Sequence, residues 1–318
     1  MTERSGQKGI ILVTAMWIML LISVIAVLIT ARTRFQMGVA RKRIDDLEIQ
    51  YMAKGVILKV AYDISRRENA NLVKTSDVFF RNTYAPVDEP FFQAGIASLK
   101  IQDEESLISF NSAPQDVLDL FFTRFDFPEN ASACLLDWID EDSDDTNNGL
   151  GAESDYYSSL EGGYLCKNAP LSSQEEIFFI REIKDRGNKI LSDFTVHGDG
   201  KVNINTAPSD TLEYLGFSES LIDKILDYRR GEDLLLYTED DRWFETPQDI
   251  IAKLSEFSYI DEDEKNQINS RLDFLKTSSQ FFRILMVLIG QRSQTTYQAE
   301  VTIKSEGDSW GIVAWKEP

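Results

Sequence analysis

From Ile10 to Ala31 the sequence runs 22 residues without a charged side chain. At 1.5 Å per residue such a run makes about 33 Å of helix, close to the hydrocarbon thickness of a bilayer. A chain that opens this way must give that helix an apolar surround, in a membrane or in a bundle of helices. A secretory signal would have a shorter apolar core and an A-x-A pattern near its end, and this run has none. Basic residues flank it on both sides, Arg4 and Lys8 before it and Arg32, Arg34, Arg41, Lys42 and Arg43 after it. The positive-inside rule favours a cytoplasmic body on those flanks, and composition leaves the orientation open.

Apolar spacing continues beyond the run. Met37, Ala40, Ile44, Leu47, Tyr51, Gly55, Leu58 and Tyr62 recur at steps of three and four, one face of a helix reaching about Arg67. The segment reads either as a linker helix or as the second half of one helix of over fifty residues, packed on the protein's own sheet. Charge then changes sign. Residues 1–43 hold seven basic residues and one acid, Glu3, which leaves 26 basic against 52 acidic residues in 44–318. Such a body repels nucleic acid and attracts divalent cations. A single histidine, His197, excludes a histidine-rich zinc site. No Ser-His-Asp order, phosphate loop or Cys-His pair is visible, and no carboxylate pair stands apart as a tuned acid and base, so the chain reads as non-enzymatic.

The body contains a repeat. Asn111 to Leu118 and Asn205 to Leu212 both read N-[ST]-A-P-x-D-x-L, at an offset of 94. The pattern predicts helix starts, with Ser112 or Thr206 as cap, proline in the first turn, and Asp116 or Asp210 near the positive end of the dipole. After the second copy, Gly216 and the helix "ESLIDKILDYRR" make a helix–turn–helix unit similar to helix-hairpin-helix DNA-binding proteins. It lacks their G-x-G phosphate nest, and its surroundings are acidic.

Between the copies lies "DWIDEDSDDTNNGLGAESDYY", with eight acids from Asp137 to Asp155 and no lysine or arginine. Like charge at that density is costly unless solvent screens it or a cation binds, and hard oxygen ligands suit calcium. Asp140, Asp142 and Asp144 alternate as in an EF-hand, but Asp145 stands where its glycine belongs and Gly151 where its last glutamate belongs. The candidate calcium ligands are Asp140, Asp142, Asp144, Glu153 and Asp155, with carbonyls near Asn148; a solvated acidic loop is the other reading. Cys134 and Cys166 bracket the loop, and they are either disulfide-bonded in an oxidising compartment or two separate buried thiols.

Strands are expected within 91–110, around a tight acidic turn, and as a pair within 193–205 around Gly198 and Gly200. Further antiparallel strands are expected in the last forty residues. Helices should start near Pro114, Ser132, Ser172, Pro208, Ser218 and Pro247. His197 falls in a strand–turn context and reads as structural.

The leader ending in Lys8-Gly9, followed by an uninterrupted apolar helix, resembles the type IV pilins and type II secretion pseudopilins. The leader, "NINTAP" and the D-W-x-D-x-D…G-A-E…Y acidic loop together are similar to the minor pseudopilins of the protein K type. That resemblance implies cleavage by prepilin peptidase between Gly9 and Ile10. It also implies a fifth mature residue, here Thr14, that lacks the glutamate most pilins use to neutralise a neighbour's terminal ammonium. The implied fold is α+β: leader 1–9, transmembrane helix 10–31, an α/β pseudopilin domain in two parts (32–110 and 279–318) with the helix on an antiparallel sheet, and an all-helical insertion, 111–278, with two helix-hairpin-helix-like (SAM-like) repeats. The implied function is assembly. A tip subunit would start the pseudopilus with I- and J-type minor pseudopilins, the major pseudopilin, prepilin peptidase and the inner-membrane assembly platform, for export of folded proteins across the outer membrane. It would bind calcium and no nucleic acid, as a single-pass inner-membrane protein with its body in the periplasm. A calcium-dependent membrane-anchored adhesin and a membrane-tethered DNA receptor are the alternatives.

Overall fold

The computed structural model of the chain describes residues 5–65, 96–144, 149–236, 240–289, 296–306 and 309–317. A single helix, α1 (Ser5–Ser65), opens the chain. Among the described residues it alone is long and apolar enough to cross a membrane. The hydroxyls of its apolar run are satisfied locally. Thr14 Oγ1 donates to the Ile11 carbonyl at 2.9 Å, and Ser23 and Thr30 do the same to the turn before them. Back-bonded hydroxyls add no unpaired donor to an apolar surround.

The second half of α1 lies on a four-stranded antiparallel sheet of order β1-β6-β7-β8, formed by β1 (Ile96–Asp103), β6 (Phe281–Ile289), β7 (Thr296–Glu306) and β8 (Ser309–Lys316). Alternation along the strands turns Ile101, Ile284, Met286 and Val301 toward the helix. The helix answers with Ile49, Ala53, Val56, Ile57, Val60, Ala61 and Ile64, all buried. This is not the face expected from the sequence, since Ile44, Leu47, Tyr51, Leu58 and Tyr62 are 48–70% exposed. The helix carries two apolar stripes. The one with Ile49, Ala53, Val56, Ile57, Val60, Ala61 and Ile64 faces the sheet, while the tyrosines and leucines of the other stay outside.

A second core, from Ile108 to Leu275, fills the insertion. Its helices are α2 (Gln115–Arg124), α3 (Ala131–Ile139), α4 (Ser154–Ser158), α5 (Ser209–Tyr214), α6 (Glu219–Arg230), α7 (Ile250–Phe257) and α8 (Glu262–Arg271). The segment expected to start a helix near Ser172 is a 3-10 turn from Gln174. The insertion is not all-helical. Strand β2 (Ile108–Ser109) pairs in parallel with β3 (Phe194–Thr195), and β4 (Val202–Asn203) with β5 (Leu275–Lys276). The two strands within 193–205 therefore do not pair with each other as expected, because each closes a separate module.

These pairs show what the sequence repeat builds. In the first module Phe110 N–H donates to the Thr195 carbonyl, and in the second Ile204 N–H donates to that of Lys276, both at 2.9 Å. The Asn111 amide donates to the carbonyls of Leu171 (2.9 Å) and Val196 (2.8 Å) and accepts from Leu171 N–H (2.7 Å). Asn205 repeats this with Phe244 (2.9 Å), Thr277 (3.1 Å) and Phe244 N–H (2.8 Å). The cap expectation fails. Pro114 and Pro208 are the extended N-cap residues of α2 and α5, while Thr206 Oγ1 donates to Asp103 instead. Ser218 does cap α6, and Gly216, with φ +83°, turns the chain into it.

At the end of β1 three consecutive acids, Asp103, Glu104 and Glu105, are buried between sheet and insertion. Glu104 pairs with Arg283 of β6 and accepts from Thr195 of β3. Glu105 holds Lys276 of β5 at 2.6 Å. Asp103 Oδ2 accepts from Asn203 at 3.1 Å, from Ser279 at 2.6 Å and from Thr206. The His197 ring stacks on Phe281 at 5.5 Å across the same seam.

Two expected outcomes follow from this seam and its latches. Asn205→Ala removes three hydrogen bonds and strands buried backbone groups, so it should destabilise the chain by about 3 kcal/mol. The more exposed Asn111→Ala should cost less; urea unfolding of the detergent-solubilised chain checks both. Burial raises the Asp103 pKa from 3.8 to about 6, partly offset by its Ser279 and Thr206 hydrogen bonds. A folded pKa above the unfolded one means that the stability this group contributes is full below about pH 4 and is lost as pH rises through 6. Asp103→Asn should flatten that part of the melting-temperature profile between pH 4 and 7, whatever it does to absolute stability.

Candidate metal centre

Helix α3 delivers one wall of the site and the return of the acidic loop delivers the other. Asp140 is the extended C-cap of α3, its N–H on the Leu136 carbonyl at 3.0 Å. Asp142 follows on the exposed side. The chain re-enters at Gly149, with φ +94°, and passes Gly151, where a Cβ would lie 1.8 Å from Asp137 Oδ2, so only glycine fits. Glu153 is then the extended N-cap residue of α4 but makes no side-chain cap bond, so its carboxylate is left to the interior.

The result is a cluster in which one carboxylate oxygen each of Asp140, Asp142 and Glu153 lie within 4.8 Å of one another. Glu153 is 6% exposed, and neither of its carboxylate oxygens has a hydrogen-bond partner; Asp140 Oδ1 is buried and unpartnered too. Burial raises Asp140 to about 6, helped by Asp142 and Asp137. Burial likewise raises Glu153 to about 7, helped by Asp137, Asp140 and Asp142 and opposed only by a weak contact with the Ser154 backbone N–H. Buried carboxylate oxygens short of good donors are costly in a protein interior. A hard divalent cation with oxygen ligands is the group that such a donor set fits.

The surrounding backbone is pinned. Asn130 Nδ2 donates to the Leu150 carbonyl at 3.0 Å, Arg181 Nη1 to that of Gly151 at 3.2 Å, and Cys166 N–H to Ser154 Oγ at 3.1 Å. Trp138 packs edge-on to the buried Tyr157 at 5.0 Å beside the cluster.

Of the five acids expected as ligands the structure brings together Asp140, Asp142 and Glu153. Asp144 and Asp155 lie outside the cluster. Asp155 is exposed in the first turn of α4, two residues past Glu153, where a helix points the side chain to the other side. Asp144 is also exposed, its N–H donating to Asp142 Oδ1 at 2.8 Å. Asn148 lies outside the described residues. Sequence reasoning missed Asn168. It takes a left-handed φ of +46°, donates to the Asp142 carbonyl, and keeps its Oδ1 buried without a partner. Its one sequence signal was an asparagine in the turn "NAP", where left-handed backbone is tolerated. Cys134 and Cys166 are separate thiols rather than a disulfide. Cys134 Sγ is held by the Leu150 carbonyl and Cys166 Sγ by that of Asp137.

Residues 97–194, from β1 to β3, match the family model described as type II secretion system (T2SS), protein K. A chain of the solved GspK–GspI–GspJ complex of the enterotoxigenic Escherichia coli type 2 secretion system is similar over 90% of this chain and 99% of that one, with TM-score 0.62 at 15% identity, a likeness of fold. No curated protein matches the sequence. The resemblance to protein K stands on these findings.

With chelator present, Glu153→Gln should stabilise the chain, since it removes a buried like charge without changing shape. The expected rise in melting temperature is about 2–4 °C. A fall on scanning calorimetry would mean that Glu153 is already compensated.

Proposed function

We propose that this chain, which carries a protein K domain of the type II secretion family, works as a minor pseudopilin at the tip of the secretion pseudopilus. The observation that carries the reading is the division of α1. One face of its C-terminal half is buried against the subunit's own sheet, whereas every described side chain from Ile11 to Ala31 is exposed. A subunit so built must bury half of its helix in something else, first a membrane and then a helical filament. The tip assignment rests on Thr14. In a filament of apolar helices a neighbour's terminal ammonium needs a carboxylate, because an unpaired buried charge is expensive. Thr14 spends its hydroxyl on the Ile11 carbonyl and offers no charge. A subunit with nothing above it needs none, and the insertion adds bulk that would bar further addition.

On this reading the partners are I- and J-type minor pseudopilins, the kind of subunit named in the solved complex, then the major pseudopilin and the assembly platform. The chain is a single-pass inner-membrane protein before assembly, body in the periplasm, processed by prepilin peptidase. Asp140, Asp142 and Glu153, with Asn168, would hold calcium, which supplies charge compensation and closes the loop on itself.

Intact-mass analysis of the membrane form should show a chain beginning at Ile10. A chain still carrying residues 1–9 in cells with active peptidase contradicts the reading, as does labelled protein spread along the filament shaft. Calcium should raise the melting temperature, with about 2.7 kcal/mol of stabilisation at a hundredfold excess over Kd. Magnesium should do less, and Glu153→Gln should abolish the shift.

A further inference from the structure

The apolar run does not grade into the acidic body. Between them, all exposed, stand Arg32, Arg34, Arg41, Lys42 and Arg43, and no acid occurs from Gly9 to Ile44. Helix α1 runs through them without a break. At 3.6 residues per turn, Arg32 and Arg43 fall about 20° apart on one side, Arg34 and Arg41 about 20° apart on the opposite side, and Lys42 roughly a quarter turn from both pairs. A protein docking on α1 would meet one side of it; positive charge on three of its four sides, with none opposite Lys42, suits a layer that surrounds the helix. Phe35 and Met37, interleaved with the cations, are 73% and 56% exposed, an apolar and cationic mixture suited to a membrane interface. Beyond the collar the body carries twice as many acids as bases, so an anionic membrane would repel it.

We propose that Arg32–Arg43 is a headgroup collar that binds anionic phospholipid and sets the depth of the shaft while the subunit waits in the membrane. This rests on the membrane reading of α1 given above. The collar has two tiers. Arg32 and Arg34 emerge within about 5 Å of the end of the apolar run, inside the headgroup layer. Arg41, Lys42 and Arg43 stand roughly 15 Å above it, where attraction to the surface is screened over about 8–10 Å.

The test uses the full chain in vesicles of phosphatidylcholine alone and of phosphatidylcholine with phosphatidylglycerol. Flotation with the neutral vesicles reports the apolar span, and native mass spectrometry of retained lipid reports the collar. Wild type should retain phosphatidylglycerol about twofold above its bulk share. Arg32→Gln with Arg34→Gln should bring retention down to that share. Arg41→Gln, Lys42→Gln and Arg43→Gln together should lower it less, through a part that high salt also removes. Flotation without phosphatidylglycerol enrichment, or enrichment unchanged in both variants, overturns the collar alone. Failure to float with neutral vesicles overturns the span and the collar with it.

Discussion

Everything in the body hangs on a burial that looks unfavourable in isolation. Three consecutive carboxylates, Asp103, Glu104 and Glu105, leave water where the sheet meets the insertion. Each is held by groups from the far side of the seam or from the strand that leads to it. Glu104 meets Arg283, Glu105 meets Lys276, and Asp103 gathers Asn203, Thr206 and Ser279. Buried ion pairs of this kind add little net stability over an apolar seam, but removing one partner is costly. Their effect is to fix one relative placement of two otherwise separate cores, with Lys316 and Glu175 as a further tie at 2.7 Å between β8 and the insertion.

Within the insertion the same economy is repeated twice. A two-residue strand, an asparagine and a proline-led helix form each module, and the asparagine side chain closes it by bonding two backbone segments from elsewhere in the chain. The modules then pack through α2 and α5, with Tyr214 against Phe121 at 4.8 Å and Arg271 on Asp116 at 2.6 Å. The acidic loop is carried inside the first module, between β2 and β3. Because its first wall is the end of α3 and its second the start of α4, a cation between Asp140 and Glu153 would join two helices and close the loop they share.

The apolar run, its length and its change of charge at Ile44 were legible in the sequence, because membrane-scale length and charge sign are local properties of consecutive residues. The repeat was legible for the same reason, as were the acidic loop and the start of α6 at Ser218. What the repeat was for was not. Read locally, Ser112 and Thr206 are good caps. In the fold the first-turn prolines take the N-cap positions and the asparagines one step earlier do the long-range bonding. Local chemistry could not show this, since Leu171 and Phe244 are brought to the asparagines only by the closed modules.

Tertiary structure alone decided which stripe of α1 meets the sheet. Both stripes have helical spacing, and only packing on the strands shows that the stripe of Ile, Val and Ala is the one buried. It also decided which acids of the loop converge. Eight carboxylates lie between Asp137 and Asp155, but direction, not density, selects among them. The C-cap of α3 and the N-cap of α4 aim Asp140 and Glu153 inward, and the helical turn after Glu153 carries Asp155 out to solvent.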